Sequence, residues 1–219
     1  RINVEPRGKL LGTNADGVND VVEANVISGN IGAGLAINGS STSFNVVAGN
    51  YIGIDAAGAF ALGNTQQGVL LFNAATSNRI GGSTAAARNI ISGNTFSGIR
   101  ITGAGTSNNH IAGNFIGLAN TGAVAVPNLV EGILLDGGPS GNFIGTNGDG
   151  VADGEERNVI SGNGTLGVRI CGAGATANVV ASNYIGTDAS GMLPLANGTH
   201  GVGIVATASG NRIGTNGDG

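Results

Sequence analysis

A chain of 219 residues with 43 glycines, 41% hydrophobic residues and no tryptophan has to build its core from small aliphatic side chains. Nine basic against thirteen acidic residues give a formal charge of -4, which excludes the basic patch that nucleic acid or an anionic membrane would need. No apolar run reaches the ~18 residues of a membrane span, and a single cysteine, Cys171, excludes an internal disulfide.

Taken in chain order, the predicted elements repeat. An acidic loop, Gly12 to Glu23, leads into Asn25-Val-Ile27. A glycine-led hydrophobic segment follows at Gly34 and returns at Gly68, Gly98, Gly132, Gly167 and Gly201. Its first hydrophobic residues are Leu35, Val69, Ile99, Ile133, Val168 and Val202, spaced by 34, 30, 34, 35 and 34 residues. A second segment carries Asn-x-(Ile/Val) at Asn45, Asn78, Asn109, Asn142, Asn178 and Asn211. A third carries it at Asn25, Asn50, Asn89, Asn114, Asn158 and Asn183. Three short β segments repeating in register mark a solenoid. Segments of three to five residues, β-branched and bounded by Gly and Asn, leave no room for helices. The coils alternate: the long loop follows the third segment in one and separates the second from the third in the next, so the true period is a pair of coils.

Stacking supplies the physical reason. Neighbouring coils lie ~4.8 Å apart, so inward Ile, Val and Leu form columns that no single coil could bury. Asparagines at equivalent turns are expected to form amide ladders between coils. The six leading glycines are expected to take positive φ, where a Cβ is costly. The fold class expected is all-β: one right-handed, single-stranded parallel β-helix over residues 1–219, about six coils of three short strands. Arg1 is not an initiator methionine, and the last residues repeat Ile144-Gly-Thr-Asn-Gly-Asp-Gly150 without their continuation. The chain is therefore read as a segment of a longer array.

Along Arg157-Asn-Val-Ile-Ser-Gly-Asn163, Gly167-Val-Arg-Ile170 and Asn178-Val-Val-Ala-Ser-Asn-Tyr-Ile-Gly-Thr-Asp188, the chain resembles right-handed parallel β-helix repeats of large secreted or surface-anchored bacterial proteins. The resemblance implies an extracellular or cell-surface location in a bacterium. It also implies either a non-catalytic structural or adhesive role, or the alternatives of a carbohydrate-active β-helix (lyase- or hydrolase-like) and a polysaccharide-binding module. The scaffold itself does not choose among them.

Four groups of residues are candidates for chemistry. The acidic loop occurs twice, with Asn14, Asp16, Asp20 and Glu23 matched by Asn147, Asp149, Asp153 and Glu156. Oxygens at positions 3, 5, 9 and 12 with Gly at 6 resemble a calcium loop, although Gly12 and Gly145 stand where its first acid belongs. The same residues also suit a solvated turn, with Arg157 offsetting charge in the second copy. On the outward face of the glycine-led strands, Arg100, Asp136 and Arg169 are expected to form a ladder, and one carboxylate is too few for inverting hydrolysis. Tyr51, Phe115 and Tyr184 form an outward aromatic row on the third strands, open to a sugar or buried under loops. The long loops ending near Asn64, Asn128 and Asn197 carry apolar residues and are expected to fold over Leu70, Phe72 or Leu134. Polysaccharide or another cell-surface ligand is the partner class these features admit.

Overall fold

The computed structural model describes residues 7–215 and is a parallel β-solenoid of about six turns. The glycine-led segments form a first sheet of six parallel strands, Leu35–Asn38, Val69–Phe72, Ile99–Thr102, Ile133–Asp136, Val168–Cys171 and Val202–Val205. The second sheet has seven: Leu10–Gly12, Val46–Ala48, Arg79–Gly81, His110–Ala112, Phe143–Gly145, Val179–Ala181 and Arg212–Ile213. The third has six, Val26–Ile27, Tyr51–Ile52, Ile90–Ile91, Phe115–Ile116, Val159–Ile160 and Tyr184–Ile185. The strand Leu10–Gly12 lacks the Asn-x-(Ile/Val) signature and joins through register alone, Leu11 lying beside Val47.

Register turns the repeat into columns. Leu11, Val47, Ile80, Ile111, Ile144, Val180 and Ile213 pair in sequence along the second sheet. Ile52, Ile91, Ile116 and Ile160 do the same in the third, and all four are fully buried. The main core holds no aromatic ring: the coil interior is only as wide as facing aliphatic side chains.

Three asparagine ladders run the length of the stack. The first links Asn45, Asn78, Asn109, Asn142, Asn178 and Asn211, each Nδ2 donating to the next Oδ1 at 2.8–3.0 Å. The second links Asn25, Asn50, Asn89, Asn114, Asn158 and Asn183 in the same sense. The third, absent from the sequence reading as a series, links Asn30, Asn64, Asn94, Asn128, Asn163 and Asn197. It draws alternately on the Ile-Ser-Gly-Asn motif and on the ends of the long loops, which hides it from a one-motif search. From the second asparagine of each ladder onward, the amide also bonds a carbonyl of the preceding coil, as Asn50 does to Leu11 O, Asn64 to Ile27 O, Asn78 to Thr42 O and Asn109 Nδ2 to Ala75 O at 3.0 Å.

Two local expectations are corrected. Gly68, Gly98 and the other leading glycines do not take positive φ. They are small because the coils approach closely: a Cβ on Gly68 would lie 2.7 Å from Gly98 O, 2.7 Å from Ile91 Cγ2 and 2.8 Å from Asn94 Nδ2. Positive φ belongs instead to glycines that end second strands, such as Gly81 at 90°. Asp20–Glu23, expected to be non-helical, forms one helical turn after Asn19 at φ 61°. In the second loop copy Ala152 takes the same left-handed conformation at φ 56°, followed by turns.

Candidate functional site on the outer faces of the coils

The two acidic loops adopt one posture. Thr13 Oγ1 donates to Asp20 Oδ1 at 2.5 Å and Thr146 Oγ1 to Asp153 Oδ1 at 2.6 Å. The second oxygens of those aspartates accept from Gly17 N and Gly150 N. Asp16 and Asp149 accept from the Asn14 and Asn147 amides and from the N–H of Val18 and Val151. Glu23 and Glu156 accept from Asn14 N and Asn147 N. Each carboxylate therefore has donors from within its own loop, and the Asn147 amide with the Val151 N–H holds Asp149 below the usual carboxylate range. No group of three or more acidic, His or Cys side chains is placed to hold a metal among the described residues.

The two copies differ in surroundings. Glu156 is buried, 4% exposed, and faces side chains from two earlier coils: the Arg79 guanidinium at 3.7 Å and the His110 imidazole at 3.7 Å. His110 Nε2 also lies 2.6 Å from Gly145 O, so it is roofed by the loop. Arg157, expected to offset the loop's charge, instead stacks on Tyr184 at 4.2 Å and donates to Ser182 O.

On the outer face of the first sheet the charges pair differently from the expected ladder. Arg100 binds Asp136 through two hydrogen bonds, Nε to Oδ1 at 2.9 Å and an Nη to Oδ2 at 2.6 Å. Arg169 turns away to Glu131, Nη1 to Oε1 at 3.3 Å, while Ser97 Oγ donates to Glu131 Oε2 at 2.9 Å. Glu131, 3% exposed, escaped the sequence reading because it occupies the turn before Gly132 rather than a strand. Its equivalents, Gln67 and Ser97, are also buried polar side chains, and that column was the available signal. Burial raises the Asp136 pKa, but the Arg100 hydrogen bonds and charge outweigh it, so the net shift is downward. A depressed pKa stabilises the fold above the ordinary carboxylate range and ceases to do so as pH falls through the folded value. Acid titration of Asp136→Asn should therefore lose one step of the wild-type pH dependence, worth under about 1 kcal/mol for so exposed a pair. Beside it, burial pushes the Cys171 thiol upward, away from thiolate chemistry.

The aromatic row is covered. Each long loop closes as a small hairpin, with antiparallel bridges Ile54 to Ala61, Leu118 to Ala125 and Thr187 to Pro194. Its glycine lies on a ring: added Cβ atoms on Gly58, Gly122 and Gly191 would sit 2.7–2.8 Å from the rings of Tyr51, Phe115 and Tyr184. The loops thus roof the third sheet, building a second apolar cluster around Ile54, Leu118 and Val126. They do not cover Leu70, Phe72 or Leu134. Arg88 stacks on Phe115 at 4.2 Å from the outside, and Phe60, Val124 and Leu193 remain exposed at the loop tips.

Leu70 and Leu134 instead line an open groove of about 490 Å³ on the first sheet, with Gln67, Ser97, Arg100 and Glu131 among its walls. No known protein family, curated protein or solved structure gives a significant match to the chain. No helix of the described residues is long and apolar enough to cross a membrane.

Proposed function

We propose that the chain is a non-catalytic structural or adhesive segment of an extracellular bacterial repeat protein. One observation carries this reading: both carboxylates of the first-sheet face are spent on side-chain partners. Asp136 gives its two oxygens to Arg100, and Glu131 gives its two to Arg169 and Ser97. A general base needs a carboxylate within reach of the proton it removes, and inverting hydrolysis needs two with room for water between them. Polar side chains that could do chemistry are used to tie coil to coil. The test is incubation with polygalacturonate, alginate and neutral glucans, following unsaturated products by ultraviolet absorbance and new reducing ends. The expected result is no turnover. Cleavage that disappears in Asp136→Asn or Glu131→Gln would establish the carbohydrate-active alternative.

Calcium at the acidic loops belongs to the same extracellular proposal. Four oxygen-bearing side chains recur with one spacing and one posture, at Asn14, Asp16, Asp20 and Glu23 and at Asn147, Asp149, Asp153 and Glu156. An ion would draw carboxylates away from their present donors, which places affinity in the weak range of extracellular modules, about 10⁻⁴–10⁻³ M. Millimolar calcium should then raise the melting temperature relative to chelator, and the rise should shrink in Asp149→Ala with Asp153→Ala. An unchanged wild-type curve would leave both loops as hydrogen-bonded turns.

A further inference from the structure

We propose that the cavity beside Tyr51 is a binding site for a guanidinium group, carried by an arginine side chain; this goes beyond the reading above and does not depend on it. The chain shows the bound arrangement twice with its own residues. Arg88 stacks on the ring of Phe115 and Arg157 on that of Tyr184, each at 4.2 Å from the ring centroid. Their Nε atoms donate to Gly113 O at 3.3 Å and to Ser182 O at 3.0 Å, in each case two residues before the ring. Neither guanidinium has a carboxylate at salt-bridge distance among the described residues. Ring and carbonyl alone hold them.

The third copy of this arrangement has no arginine in the sequence. Ala24 precedes its ladder asparagine where the other pairs of coils have Arg88 and Arg157, and each of the three lies 27 residues before its ring. Register agrees: Val26, Ile90 and Val159 pair with Tyr51, Phe115 and Tyr184. Beside Tyr51 there is an open cavity of about 320 Å³, and Ala24, Gly49 and Tyr51 all line it. Gly58 packs against the Tyr51 ring from the long loop, as Gly122 and Gly191 do against the other two rings. The ring and the Gly49 carbonyl are thus the counterparts of the groups that hold Arg88 and Arg157. Among the described residues no cation stacks on Tyr51 and no donor bonds Gly49 O.

Charge and shape select the ligand. Asp20 lines the same cavity, so an entering cation gains a nearby carboxylate that Arg88 and Arg157 do without. Arg88 also lines it, but a guanidinium on Tyr51 would lie two strands away, about 9–10 Å. The same two-strand step already separates Arg88 from Arg157. A planar guanidinium can lie flat on the ring and still donate in its own plane to Gly49 O, which the ammonium of lysine cannot do.

The test is NMR of the tyrosine rings in the whole chain, titrated with N-acetyl-argininamide and with its lysine and citrulline analogues. The chain has two tyrosines: Tyr51 reports the site, and Tyr184, already capped by Arg157, is its internal control. Arginine should shift the Tyr51 signals alone, and the lysine and citrulline analogues should bind about tenfold more weakly or less. Ala24→Arg should supply the guanidinium from the chain itself, raising the melting temperature and abolishing the response. Arg157→Ala should make Tyr184 respond as Tyr51 does. A glycine pentapeptide with arginine at its centre, set against free arginine, separates the two sources: tighter binding of the peptide assigns the arginine to a polypeptide partner, tighter binding of free arginine to the amino acid itself. No shift at Tyr51, equal shifts of both rings in the wild-type chain, equal binding of the lysine analogue, or an undiminished response in Ala24→Arg would overturn the proposal.

Discussion

Gly81→Ala should be among the most damaging single-methyl additions in this protein. Gly81 closes a second strand at φ 90°, and a Cβ there would overlap the carbonyl oxygen of Ala112 and press on Asn114 Oδ1 at 2.5 Å. Two costs combine. The left-handed conformation strains a residue with a Cβ by about 1–3 kcal/mol, and forced overpacking adds about 1–3 kcal/mol. Neither neighbour can yield cheaply, since one is backbone in a parallel ladder and the other is a rung of the second asparagine ladder. Thermal or urea unfolding should show a loss of several kcal/mol. Gly154→Ala is the control: its added Cβ meets nothing within 4 Å and its φ lies outside the left-handed region, so it should be nearly silent. Equal effects of the two substitutions would mean that coil spacing is not what restricts Gly81.

The second large effect is at Asn109, which is fully buried. Its Oδ1 accepts from both the N–H and the amide of Asn78, and its Nδ2 donates to Ala75 O and Asn142 Oδ1. Asn109→Ala orphans partners in two neighbouring coils at about 1–3 kcal/mol for each group left unsatisfied. Asn109→Asp keeps the shape but turns two donors into acceptors facing acceptors, and buries a charge. It should cost more than alanine near neutral pH, and part of the loss should return in acid as the carboxyl becomes protonated. An aspartate variant as stable as wild type at neutral pH would show that the ladder bonds contribute little.

The coil scheme was legible because stacking demands the same residue at the same place in every turn. Strand centres such as Ile52, Ile91 and Ile116 could be placed from the Asn-x-Ile motif alone. What escaped were features set by contacts between coils. The third ladder alternates between two motifs, so neither motif shows the whole column. Glu131 lies outside the strand pattern, and its pairing with Arg169 depends on where a side chain swings across neighbouring coils. The reason for the leading glycines was also three-dimensional: a bend of ordinary φ pressed against the next coil needs a missing Cβ as much as a left-handed turn does. The aromatic row was placed on the right strands, but its cover depended on the path of the long loops, which apolar content alone does not fix.

Those loops form a stack of their own that skips every other coil. Asn120 N bonds Gly58 O and Ala189 N bonds Gly122 O, at 2.8 and 2.9 Å, across more than sixty residues of sequence. Removing a single coil would still leave the three sheets paired, because every coil offers the same strand edges. It would bring together loops of unlike type and break the external stack, as well as the alternation within the third ladder. Removing two coils would restore both. Growth or shortening of such a solenoid is thus quantised: the smallest change of length that preserves all of its lateral bonding is a pair of turns, and natural or engineered variants should differ by whole pairs.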